Sequence, residues 1–142
     1  MSNIDNEAVQ IPATFWHHLE DQEWDEAVEL LSDEFDGFIP QTNETILGPI
    51  DFVNWLRLKL GPGKSTINNR MASYDVWDKT HEVALQILVT SDGQANERHN
   101  GDYFIVAFFT VDRDYLISGA TMYYAAKTLL IDSLSDIGIN VE

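Results

Sequence analysis

The apolar residues of this chain change their spacing at Gly61-Pro62-Gly63. Before that break they recur every three or four positions, the period of a helix with one buried face. After it they recur at every second position, the period of a strand. A chain with helices first and long strands last does not interleave them as βαβ units. It lays its helices against one face of an antiparallel sheet, an α+β arrangement. Its 142 residues suit one domain, and no repeat, low-complexity tract or linker divides them. The expected domain spans residues 1–142, with a core at about 9–125 and a C-terminal tail at 126–142.

The helical part reads in three pieces. Residues 9–20 form a first helix, with Pro12 in its opening turn and Ala13, Phe15, Trp16 and Leu19 on its apolar face. Residues 23–32 form a second, whose first-turn acids suit the helix macrodipole. A short strand at 35–39, ended by Pro40, and another at 44–47 follow. Gly48-Pro49 then starts a third helix bearing Phe52, Val53, Trp55, Leu56, Leu58 and Leu60. Long strands are expected at 67–77, 81–90, 103–111 and 115–125, with a polar loop at 91–102, a tight turn at Asp112-Arg113-Asp114 and a short helix near 129–134. In residues 103–109 both faces are apolar, so both need cover. Helices supply one cover; a second copy of the chain supplies the other. The expected partner is therefore the chain itself, in a homodimer built through the long strands.

Charge narrows the partners. The formal net charge is −16, and residues 1–36 hold 11 acids with no Lys or Arg. Such a field repels phosphate backbones and anionic lipid surfaces, which argues against nucleic-acid and membrane partners and for a solvated acidic face. No apolar run approaches the ~18 residues of a membrane span. The absence of cysteine removes disulfides, thiolate catalysis and Cys-based zinc sites. Together with an N-terminus that lacks basic and apolar signal features, it leads to a cytoplasmic reading. Gly63-Lys64-Ser65 ends like a phosphate loop, but Leu58 stands where that motif needs glycine and the helix–strand order is reversed. Asn43-Glu44-Thr45 matches a glycosylation acceptor by chance. His17 and Asp21 share a helix face beside His18, yet no further ligand is visible, so neither a metal nor a cofactor is expected.

Four segments carry a resemblance. Ala13-Thr14-Phe15-Trp16, Trp24-Asp25-Glu26-Ala27, residues 35–40 and Gly48-Pro49-Ile50-Asp51-Phe52 resemble patterns of the nuclear transport factor 2-like and SnoaL-like superfamily. Residues 40–48 are similar to a bacterial subgroup with no settled activity. The resemblance implies a cystatin-like α+β barrel, in which three N-terminal helices pack on a curved, mostly antiparallel sheet and enclose a conical cavity. In steroid-isomerase relatives a helix-one tyrosine donates to the developing oxyanion and an acid before the strand-ending proline acts as base. The matching positions here are Phe15 and Ile39, and neither moves a proton. Epoxide-hydrolase relatives draw an Asp–Arg–Asp set from separate strands. Asp112-Arg113-Asp114 is consecutive and reads as turn chemistry.

Within that implied cavity, His18 follows Phe15 by three residues and is a candidate acid or base. Glu44 beside the cone mouth is the candidate carboxylate. The plainer readings are a hydrogen-bonded structural histidine and a solvent-facing edge residue. Phe15, Trp16, Phe38, Gln41, Trp55, Tyr74, Tyr103 and Tyr123 are the expected ligand-binding surface, each able to serve core or cavity. The implied function is a pocket for a small, largely apolar, cyclic or polyketide-like molecule. Its chemistry would be proton transfer, cyclisation or hydration through His18, Glu44 or a tyrosine. The alternative is a non-catalytic dimeric binding or interaction module whose cone these aromatics pack shut.

Overall fold

Asp5 sets the start of the first helix by accepting the Glu7 N–H at 2.9 Å, so α1 (Asn6–Glu20) begins three residues earlier than the apolar spacing predicts. Pro12 consequently lies inside α1 rather than in its opening turn. In this computed structural model, residues 4–60, 64–90 and 103–126 are described; the loop expected at 91–102 and the helix expected near 129–134 lie outside them. Gln22, with φ 60°, turns the chain at the end of α1 into α2 (Trp24–Glu29). The second helix is shorter than expected because the Leu30 carbonyl accepts the Ile117 N–H at 2.8 Å and Leu31 pairs with Ile117. Leu31 and Ser32 thereby join β1 (Leu31–Ile39).

Asn43, with φ 57°, closes the hairpin between β1 and β2 (Glu44–Leu47). Gly48, at φ 89°, then admits the chain to α3 (Pro49–Leu60) through a conformation that L side chains rarely adopt. Two helices thus precede the first hairpin and the third follows it. On α3 the buried residues are Phe52, Val53 and Leu56, whereas Leu58 faces solvent, against expectation. The long strands are β3 (Lys64–Asp75), β4 (Thr80–Thr90), β5 (Tyr103–Val111) and β6 (Ile117–Ala126). Tyr115, assigned to the last strand by its apolar character, sits in the preceding turn at φ 61°.

The six strands form one mixed, curved sheet in the order β2-β1-β6-β5-β4-β3. Every pairing is antiparallel except β1 with β6, which is parallel. The inner face carries Val83, Leu85, Ile87 and Val89 from β4 and Ile105, Ala107, Phe109 and Val111 from β5, all buried under the helices. Two irregularities re-aim side chains. One, between Ile67 and Asn69, explains why β3 reads as a mixed pattern, and the other places Ile117, Ala120 and Met122 on the inner face of β6. Gly37 is required by close packing, because a Cβ there would stand 2.7 Å from the Phe52 ring. The apolar segment 103–109 has its helix cover, but Phe108 on the outer face remains 45% exposed.

Candidate functional site

The space between helices and sheet is filled at its centre by rings. Phe15 stacks on Phe52 with centroids 6.3 Å apart and meets Phe109 edge-on at 6.0 Å, while Phe35 lies 4.6 Å from Phe52. Trp16 is fully buried, and its Nε1–H donates to Ser65 Oγ at 2.9 Å. Phe15 and Trp16, expected as ligand contacts, are therefore core.

Toward the other end of α3 the filling stops and leaves a cavity of about 250 Å³. Trp55, Leu56, Lys59 and Leu60 wall it from α3, Tyr103 and Ile105 from β5, and Met122 and Tyr124 from β6. The walls follow from register: Ile105 pairs with Tyr124 and Ala107 with Met122 on the same inner face. The Lys59 ammonium lies over the Trp55 ring, 5.6 Å from its centroid. Burial pushes the Tyr103 hydroxyl above the usual tyrosine range, so it stays a neutral hydrogen-bond donor.

Of the ten residues singled out from sequence, Trp55 and Tyr103 meet in this cavity. His18 lies at the α1–α2 corner, its Nδ1 2.9 Å from Glu23 Oε1. Glu44 is exposed on β2. Gln41 is a clamp: its Nε2 donates to the Tyr124 carbonyl and its Oε1 accepts the Tyr124 N–H, both at 2.6 Å. Phe38 and Tyr123 face outward, Tyr123 edge-on to Phe108 at 6.1 Å. Tyr74 packs on His81 at 4.9 Å, at the far end of the sheet. Ile105, Met122 and Lys59 were missed, while Tyr124 belongs to the same set of aromatic residues as Tyr103 and Tyr123. Plain alternation from Ile117 would turn Tyr123 inward; the irregularity near the start of β6 substitutes Tyr124.

Two polar hollows lie elsewhere. One of about 510 Å³ runs between α1 and β3, lined by His17, Glu20, Ser65, Asn68 and Arg70 among others. There His17 Nδ1 is 3.2 Å from Glu20 Oε1, and burial raises the Glu20 carboxyl. The other, of about 260 Å³, holds Asp5, Tyr74, Lys79, His81 and Tyr115 among others. His81 Nε2 accepts the Asp5 N–H at 2.9 Å, which leaves the ring's proton on Nδ1 when neutral. The Tyr115 hydroxyl donates to Asp5 Oδ2 at 2.6 Å and holds that carboxyl below its usual range. Among the described residues no cluster of three or more His, Asp or Glu is placed to hold a metal ion, and no helix is long and apolar enough to cross a membrane.

No family model matches the sequence, and no curated protein matches it. Solved structures do. An NTF2-like protein of unknown function from Burkholderia xenovorans superposes with a TM-score of 0.70 at 12% identity, over 96% of this chain and 97% of that one. The chain has the NTF2-like fold. Similar at that level are a candidate ketosteroid isomerase from Kribbella flavida, with TM-score 0.69, 20% identity and coverage of 84% and 78%, and a candidate polyketide cyclase from Xanthomonas campestris, with TM-score 0.63, 15% identity and coverage of 87% and 94%. In this NTF2-like domain Phe15 and Ile39 are both fully buried, so the two positions matched to the steroid-isomerase pair serve as core.

Proposed function

We propose that this NTF2-like chain is a small-molecule pocket protein of the SnoaL-like type, with a largely apolar, cyclic ligand seated between α3 and the inner face of β5 and β6. One observation carries the reading: the cavity of about 250 Å³ is walled by two tyrosines, a tryptophan and aliphatic side chains, with few polar groups. That volume lies just below the ~300 Å³ at which pockets for drug-sized ligands begin, which favours a small body. The ketosteroid and polyketide names borne by two structures of this fold agree with a ring-bearing, mostly apolar ligand. His18 and Glu44 do not line the cavity, so a proton-transfer, cyclisation or hydration step there would use a tyrosine hydroxyl. Tyr103, protonated at neutral pH and shifted further upward by burial, is suited to donate to a ligand oxygen.

Calorimetric titration with an uncharged ring probe, naphthylmethanol, tests the pocket. The wild type should bind it, and Leu60→Trp, which fills the cavity from its rim, should not, with melting temperature unchanged. No binding by the wild type, or equal binding by both proteins, would overturn the reading.

A homodimer through the long strands belongs to the same proposal. A row of directly paired outer-face residues, Met71, Ala84, Phe108, Thr121 and Phe38, crosses five strands. Met71, Phe108 and Phe38 in it are 73%, 45% and 37% exposed. Apolar side chains aligned in this way suit a second copy of the chain better than water.

A further inference from the structure

Resting on that pocket reading, we propose that the ligand is an apolar monoanion, whose ring body occupies the cavity between α3 and β5–β6 and whose carboxylate is held by the Lys59 ammonium. The charge balance of the chain makes this placement informative. With 24 acids against 8 Lys and Arg, an anion approaches most of this surface against the field. Yet among the described residues no acid lines the cavity, and the one charged residue in its wall is a base. Lys59 is exposed on α3, yet its side chain lies against the cavity wall. Its ammonium sits over Trp55, a second wall residue, which keeps the charge at the cavity rim. Among the described residues no carboxylate lies within ion-pair distance of it. Arg57, nearby on the same helix, is spent on the Trp24 ring at 5.0 Å and takes no part in the cavity wall.

The second polar wall group has the same preference. Tyr103, a phenol protonated at neutral pH whose burial disfavours ionisation further, offers a hydroxyl donor. A carboxylate is an acceptor only, and an ammonium with a phenol beside an apolar hollow satisfies it by charge-assisted hydrogen bonds. A cationic ligand would instead meet Lys59 as a like charge. The apolar walls then select against small hydrophilic anions such as acetate, which would lose water and gain no burial.

The test compares two probes of one ring system, naphthoate and naphthylmethanol, by titration calorimetry on the full chain and on Lys59→Met, which keeps most of the side-chain volume. In the wild type naphthoate should bind about fivefold or more tighter than the alcohol, and the advantage should shrink as salt is added. In Lys59→Met the ratio should fall to about one while the alcohol's affinity is kept. Equal affinities in the wild type would overturn the anion assignment and leave the pocket standing. An advantage that persists in Lys59→Met would overturn the role of Lys59. Binding of neither probe would overturn the anion proposal together with the pocket reading.

Discussion

Trp16 is fully buried, and Ser65 Oγ receives its one polar hydrogen. Without that acceptor the indole nitrogen loses its partner in the protein, at a cost of about 1–3 kcal/mol. Ser65→Ala should be destabilised by that amount in denaturant unfolding, while Ser65→Thr, which keeps the hydroxyl, should lose less. Glu82 acts with the opposite sign. Burial raises its carboxyl above 4.5, Asp75 and Asp78 add to the shift, and the Thr110 hydroxyl opposes it. Its charged form is therefore disfavoured by folding, and the penalty is present at neutral pH. The penalty fades as pH falls through the raised folded value and is gone below the unfolded one. Glu82→Gln should thus melt higher than the wild type at neutral pH, with the gap closing as pH is lowered to 4.5 and beyond. A gap that widens on acidification would show that Glu82 is instead held by attraction.

At the scale of elements, Gln41 lies in the turn after β1 but does the work of a strand residue. Its amide mimics a peptide group and adds a rung to β6 beyond the Phe38–Thr121 pair. Gln41→Ala should speed amide exchange at Tyr124 far more than at Ala107 on the buried strand beside it. Because Tyr124 walls the cavity, ligand affinity should fall with it; unchanged exchange at Tyr124 would rule the clamp out. This element also marks where sequence reading stops. Element order and most strand positions were legible, since periods of 3.6 and two are imposed by burial of one face. The ends of α2 and β1 were not, because a parallel pairing with a strand at the far end of the chain decides them. Nor was the cavity wall fully legible. One extra residue in β6 exchanges Tyr123 for Tyr124, and nothing in the local composition announces it. Trp55 and Tyr103 were found because each lies on an element whose inner face is regular. Gln41, a polar residue beside the turn, reads from sequence like a ligand contact, and its partner in the structure is the Tyr124 backbone.

For the whole molecule, the acids of the first 36 residues form a field that few bases offset. Glu20 and Glu23 have histidine partners on α1. Screening acts over ~10 Å at 0.1 M salt, so the melting temperature should rise with sodium chloride from low to moderate concentration. A fall would mean that the acids are held in specific attractive contacts. The outer sheet face makes a second demand at this scale. Light scattering at micromolar concentration should give the mass of two chains, and Phe108→Glu, which puts a charge into the apolar row, should give the mass of one. A wild-type mass of one chain would sink the dimer.

The parallel pairing of β1 with β6 has a consequence for synthesis on the ribosome. When residues 31–39 have emerged, their partner on that edge, which begins at Ile117, has not yet been translated. The nascent chain then displays two helices and a short hairpin whose apolar sides have no sheet to rest on, for as long as it takes to make most of the remaining protein. Contacts so distant along the chain slow folding and leave apolar surface open to wrong partners. The dense acidic charge of that same early segment opposes association between such chains, since like charges repel.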